Sequence, residues 1–433
     1  MSTRGKIVDV LGIGFGPANI ALAIALEELA PGMSVQFLEK RLGPLWQPNM
    51  LLPGSDIQNH PLRDLVTPRN PRSRYSFTNF LFEQDRLYEH LNLPLHHPLR
   101  AEYAQYVSWA ANFFEDIVAY GCEAASVEAV NPSNGEGAHY KVCCVDGGVF
   151  LARSLVLAPG RTPHIPAPFA GIKDRRVRHL NDYLPALAEA VADTDGRCRI
   201  AVIGGSQSAV EILLHASDQT GVREVVGFTR NFGYRQKDTS PFSDEVYFPS
   251  FVDTFHNASA EHKARLRQEL VHTNYSSADI DVLNQLYVRK YEQMLQGESR
   301  LQLRTSEDMV GCIPTPNGVQ IKSRQYLQGS IHSQSFDLVI LATGFLDLGT
   351  GDRQEPFPSL LAPIARENEI DTLTIARDYR VDLLNGLPTY LNGLCESSHG
   401  MGDAGSFSLL ALRSQSIVES LTSNLEARVQ RHA

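Results

Sequence analysis

The stretch IVDVLGIGFGPANIALAIALEELAPGMSVQFLE, residues 7–39, decides the fold. Residues 7–13 form an apolar run of the length of a strand buried on both faces. GFGP interrupts it, and residues 18–29 then carry apolar side chains at helical spacing. Residues 34–39 read as the next strand. The unit is strand, glycine turn, helix, strand, with Gly12, Gly14, Gly16 and Pro17 in the turn. Glycine lets a backbone turn sharply and approach a diphosphate without a Cβ in the way. The helix behind it offers free N–H groups and the positive end of its dipole. Pro17 stands in place of a third glycine, and proline is comfortable in a first helical turn. Glu39 ends the second strand, where a carboxylate accepts hydrogen bonds from ribose hydroxyls. A plain strand–helix turn is the alternative. Strand, helix and acid in register favour a dinucleotide site.

The pattern returns in mid-chain. Residues 199–203 (RIAVI) are a strand, 204–209 a turn, 208–217 a helix and 223–229 (REVVGFT) a second strand. Gly204, Gly205, Gln207 and Ser208 lie in the turn, with small residues where the glycine fingerprint requires them. The second strand ends on Thr229 and Arg230, with no acid. A cation there suits the 2′-phosphate of NADPH and a carboxylate would not; the alternative is a solvated strand end. Two further strands end in small-residue turns, Ala158-Pro159-Gly160 and Ala342-Thr343-Gly344, so Thr343 and Gly344 join the candidate cofactor contacts. The expected fold is α/β, with two Rossmann-like dinucleotide-binding domains and a smaller helical substrate-binding region. The expected division is 1–165 with 335–433 for one nucleotide, 166–255 with 298–334 for the other, and 256–297 for the helical region, which fits neither sheet.

The chain has 433 residues, ordinary globular composition and a formal net charge of −10. That balance argues against nucleic acid or an anionic membrane as partner. No run has the roughly 18 apolar residues of a membrane span, and residues 1–6 lack the features of a secretion signal. Six cysteines without a C-x-x-C pair read as reduced thiols of a cytoplasmic protein. The adjacent Cys143 and Cys144 fall in a strand remote from either turn, which counts against a disulfide reductase. His96 and His97 are a tandem pair that cannot readily meet one metal, so no metal is expected. No serine-hydrolase elbow or zinc-protease motif is present.

Blocks along the chain read VLGIGFGPANIALAIAL, DIQNHPLRDLVTPRNPRSRYSFTNFL, IAVIGGSQSAVEI, SPFSDEVYFPSF, HTNYSSADIDVL, LATGF and SSHGMGDAGSFSLLALRS, of which LRDLVTPRNPRSRYSF and HTNYS are absent from generic flavoproteins. On these the chain resembles the N-hydroxylating flavin monooxygenases of siderophore biosynthesis, which include ornithine, lysine and diamine N-monooxygenases. The likeness runs over nearly the whole length. It implies FAD and NADPH as cofactors, O₂ as co-substrate, and hydroxylation of a primary amine through a C4a-hydroperoxyflavin. It also implies a homo-oligomer, dimer or tetramer. By position, Trp46 and Gln58 fall near the flavin, Asn274 on the reacting amine, Arg230 on NADPH, and Ser408 on substrate or flavin.

Three departures bear on the substrate. Arg63 stands where ornithine members carry a carboxylate-binding lysine. Asp244 stands where they carry an asparagine. The turn before Ser408 is one residue longer. If Arg63 pairs with Asp244, neither is free for an amino-acid head group. With His60 alongside, this favours an amine without an α-carboxylate, a diamine or a histamine-like molecule. Ornithine or lysine is the alternative. Other classes are a monooxygenase oxidising sulfur or a ketone, and an uncoupled NADPH-oxidase-like or redox-sensing flavoprotein.

Overall fold

The computed structural model describes residues 6–131, 137–403 and 405–432, with the side chains of the last helix described to residue 426. The decisive stretch folds as read: strand Ile7–Ile13, helix Pro17–Leu29, strand Val35–Glu39. The first sheet runs Arg380–Val381, Thr389–Leu391, Val149–Leu157, Ile7–Ile13, Val35–Glu39, Val118–Tyr120. A meander, His139–Cys144 with Ala124–Val130, continues from Val149–Leu157. The glycine strand lies between two parallel neighbours, which is why it reads as continuously apolar.

The second unit repeats this plan with five parallel strands in the order Leu301–Thr305, Val222–Thr229, Cys198–Ile203, Leu338–Leu341, Val177–His179. Helix Gln207–Asp218 follows its glycine turn. A three-stranded antiparallel sheet, Glu307–Thr315, Gly318–Gln325 and Ile331–Phe336, packs beneath it through Phe228, Ile321, Phe336 and Val339.

Two boundaries differ from the expected division. Leu338–Leu341 was placed with the first unit, but it is hydrogen-bonded between Cys198–Ile203 and Val177–His179 in the second sheet. The apolar run DLVIL fits either sheet, and only pairing with distant strands decides between them. The 256–297 region contains helix Ala260–Leu270 and helix Ile280–Leu295, joined through a short 3₁₀ turn, Val271–Thr273. The second of these helices is not separate from the sheets. It packs on Gln207–Asp218, and Leu286 and Ala278 join the second core.

Both glycine turns owe their shape to one close approach. Gly14 has φ +84°, and a Cβ on it would lie 2.3 Å from the Ala158 carbonyl oxygen. Gly204 has φ +152°, and its Cβ would lie 2.3 Å from the Ala342 carbonyl oxygen. The small-residue turns at 158–160 and 342–344 therefore sit in matching places beside the two glycine turns.

The units are joined by a buried ion pair. Arg100, first residue of helix Arg100–Asn112, is 8% exposed and Glu211, in helix Gln207–Asp218, is 6% exposed. Arg100 Nη2 donates to Glu211 Oε1 at 2.9 Å, and Nη1 stands 2.9 Å from Oε2. The same guanidinium donates to the carbonyls of Met50 and Asp56, both at 3.0 Å. Removing one partner leaves a buried charge unpaired. Glu211→Ala is expected to lower unfolding stability by about 3–5 kcal/mol. The paired apolar variant Arg100→Met/Glu211→Leu should recover most of that loss, as read by urea denaturation.

Candidate active site

Both nucleotide turns end in open helix N-termini. Gly16 precedes Pro17–Leu29 and Ser206 precedes Gln207–Asp218, and neither helix has a side-chain cap. A Cβ on Gly16 would meet nothing within 4 Å. The first N–H groups of such helices need an outside acceptor, and a diphosphate supplies it. The residues therefore fit dinucleotides in both places. Glu39, expected on a ribose, accepts from Phe15 N through Oε2 at 2.8 Å and from Arg41 N through Oε1 at 2.9 Å. That fixes its carboxylate at the rim of the first turn. Gly205 packs against Thr229, whose Oγ1 would lie 2.7 Å from an added Cβ.

Gln58, His60 and Arg63 lie on an irregular strap crossing from the first unit. Gln58 adopts φ +51°, a left-handed conformation uncommon for a side-chain-bearing residue. Its amide donates to the Asp279 carboxylate. Asp279 N donates in turn to Gln207 Oε1 at 2.8 Å, and Gln207 Nε2 donates to Glu211 at 3.0 Å. The strap is thus wired to the second glycine turn and to the Arg100 pair. Asn59, which the sequence reading passed over, is the strap's other anchor. Its Nδ2 donates to the Arg63 carbonyl at 2.6 Å, and its Oδ1 accepts from Ser408 Oγ at 3.1 Å. Ser408 itself is buried. Trp46 packs edge-on against Phe407, ring centroids 5.2 Å apart, just before Ser408.

Arg63 and Asp244 do not pair. Among the described residues no carboxylate stands within ion-pair distance of Arg63. Its guanidinium lies 5.8 Å from the ring centroid of Tyr247. Asp244 lies in the 3₁₀ turn Ser243–Tyr247 and faces the same tyrosine, adding to the burial that raises the phenol's pKa. The Tyr247 hydroxyl points to the Thr273 carbonyl at 3.4 Å, one residue before Asn274. His60 is exposed and its Nδ1 accepts from Leu62 N at 3.2 Å. Slight burial and the nearby Arg63 and His97 lower its pKa, so it is neutral at pH 7. The Asn274 side-chain amide makes no hydrogen bond to the described residues, leaving it available to a ligand.

Behind Asn274 lies a cluster absent from the sequence reading. Glu396, 7% exposed, accepts from the Tyr275 hydroxyl, and Arg161 Nη1 donates to the same hydroxyl at 3.1 Å. Arg161 Nη2 stands 3.7 Å from Glu396. Burial pushes the Glu396 carboxyl up to about 7; Arg161, Arg267 and the Tyr275 hydroxyl oppose it, and Asp347 adds to it. Burial raises Asp347 as well. These residues come from both crossings between the units and from the C-terminal segment, so no local pattern could have gathered them.

Residues 6–347 match the family model described as L-lysine 6-monooxygenase/L-ornithine 5-monooxygenase. An L-ornithine N(5)-monooxygenase of Pseudomonas aeruginosa is 34% identical over 96% of this chain and 94% of its own. The solved ornithine hydroxylase PvdA of the same organism superposes with TM-score 0.87, covering 97% of this chain and all of that one. An ornithine N-hydroxylase of Kutzneria sp. 744, solved with reduced FAD, NADP⁺ and L-ornithine, is 30% identical with TM-score 0.86 over 96% of this chain and 99% of its own. No described helix is long and apolar enough to cross a membrane.

Glu396 allows a direct stability test. A raised native pKa means its stabilisation is full below about pH 4.3, the unfolded value, and is lost as pH rises to about 7. Glu396→Gln has no such proton to lose. Its stability relative to the parent should rise across that window by roughly 3–4 kcal/mol and stay constant above it. Thermal melts from pH 4 to 8 read this directly, and a pH-independent difference would contradict the assignment. With its open glycine turns, its wired strap and its end-to-end likeness to these proteins, the chain belongs to the L-lysine 6-monooxygenase/L-ornithine 5-monooxygenase family and is a flavin-dependent N-monooxygenase using FAD, NADPH and O₂.

Proposed function

We propose that the enzyme hydroxylates the side-chain amine of L-ornithine or a close ω-amino acid, with Arg63 receiving the α-carboxylate. The observation that carries this is Arg63 itself, a guanidinium on the strap with no carboxylate partner among the described residues. One ground for a decarboxylated substrate, an Arg63–Asp244 pair, falls away because no ion pair joins the two; the other, the anionic Asp244 itself, is taken up below. Guanidinium binds carboxylate bidentately. The ornithine enzymes to which the chain is 34% identical support the same reading. Siderophore assembly is the matching role, since hydroxylated amines are iron-ligand precursors.

In this scheme the first turn, with Gly12, Gly14, Gly16, Pro17 and Glu39, holds FAD, with Trp46 near it. The second, with Gly204, Gly205, Gln207, Ser208 and Arg230, holds NADPH. Thr343 and Gly344 line the passage between the two. Bound reduced flavin supplies the activation of O₂. The protein's own part is to orient and to exclude water. Asn274 accepts from the reacting amine and keeps its lone pair directed inward. Gln58, held by Asp279, faces the flavin side, and Ser408 closes the far wall. Alkylamines have a pKa near ~10.4 and must shed a proton before acting as nucleophiles. The 256–297 helices supply Asn274 and Asp279 and form the substrate-side wall.

A second reading rests on Asp244. A carboxylate where family members carry an asparagine would welcome a second ammonium, as in a diamine, with His60 at the entrance. Hydroxylamine formation with ornithine, lysine, putrescine, cadaverine and histamine separates the two. Under the leading reading ornithine or lysine is turned over with hydroxylamine near one per NADPH. Arg63→Ala then raises KM for that amino acid at least tenfold and leaves a diamine unaffected. Turnover of diamines alone would overturn it in favour of the Asp244 reading. Peroxide without hydroxylamine from any amine would leave the family fold and remove the substrate class.

A further inference from the structure

The second glycine turn has neighbours that its fingerprint does not contain. The turn after Leu338–Leu341 lies against it, with the Ala342 carbonyl touching Gly204. Arg353 reaches back over that turn. Its Nη2 donates to the Thr343 carbonyl at 2.6 Å and lies 3.3 Å from where a Gly344 Cβ would stand. His164 is tied to the same turn, its N–H donating to the Gly344 carbonyl at 2.9 Å and its carbonyl accepting from Thr343 Oγ1 at 2.5 Å. The His164 Nδ1 atom is buried without a hydrogen-bond partner. Arg230 and Arg161 are also close. Burial, then those two cations, depress the Arg353 pKa. Burial and the Arg353 and Arg230 charges likewise depress that of His164, while its contact with Thr343 opposes them. Among the described residues neither Arg353 nor Arg230 has a carboxylate at ion-pair distance. Arg353 and Arg230 are thus neighbouring like charges without a carboxylate partner, an arrangement that favours a bound anion.

We propose that Arg353 is the cation that neutralises the diphosphate of the bound nicotinamide nucleotide, with His164 beside it, while Arg230 serves the 2′-phosphate. Position separates the two arginines. Arg230 follows the second strand of the unit, where the adenosine ribose lies in such folds. Arg353 covers the turn that abuts Gly204, beside the open end of helix Gln207–Asp218, where the diphosphate belongs. The inference rests on NADPH occupying the second turn, and it adds a charge the turn itself lacks.

Titration of the FAD-loaded protein with NADP⁺ and with NAD⁺, read by calorimetry, tests it. Arg353→Ala should weaken both nucleotides by similar factors, tenfold or more. Arg230→Ala should weaken NADP⁺ and leave NAD⁺ unchanged. Arg353→Lys should recover part of the loss, since a point charge remains without the fork of donors. Arg353 as a whole is exposed, with only its guanidinium partly enclosed beside the turn, so its variants should melt with the parent. Unchanged binding in Arg353→Ala, or loss confined to NADP⁺, would overturn the proposal. Parent protein that binds neither nucleotide would instead overturn the placing of NADPH in the second turn.

Discussion

The buried contact between Arg100 and Glu211 is the fixed point of the molecule. One guanidinium holds two carbonyls of the strap and a carboxylate on the helix behind the second glycine turn. A buried charge pair adds little net stability over an apolar pair, yet it tolerates only one geometry. From Glu211 the polar chain continues through Gln207 and Asp279 to Gln58. The helix of the nicotinamide turn and the residue proposed to face the flavin therefore share one hydrogen-bonded chain. The two cofactors have to meet for hydride transfer, and the chain that links their supports is not interrupted by solvent-exposed side chains alone at any step.

Electrostatics divide the pocket in two. On one side the Arg63 guanidinium and the Asp244 carboxylate stand against Tyr247. Beside the second glycine turn Arg161, Arg230, Arg353 and His164 stand close together. Glu396 and Asp347 lie between, buried beside Arg161 and Arg267. The overall charge of −10 gives no hint of this. Net charge describes how the surface meets other macromolecules, and an acidic protein can still build a cationic cleft.

What could be read from sequence was what is local. Strand Ile7–Ile13, the glycine turn and helix Pro17–Leu29 are set by neighbours within a few residues, and their pattern is visible in the letters. The second unit was legible for the same reason. The place of Leu338–Leu341 was not, because an apolar run carries no mark of which strands it pairs with. At the site, Gln58, Arg63, Asp244 and Asn274 drew notice through motif blocks. Asn59 and Glu396 did not, since their roles come from partners at the far end of the chain. The idea that Arg63 and Asp244 cancel each other was a statement about distance, which charges in a sequence do not supply.

The bond between Asn59 and Ser408 spans 349 residues. Contacts that remote in sequence form late, after the loop between them has been ordered. On a ribosome the first sheet's glycine strand and the whole second sheet emerge well before Ser408 does. Both glycine turns can thus form while the Asn59–Ser408 tie is still missing. The tie between the strap and the segment before helix Leu410–His432 therefore closes after both glycine turns have formed.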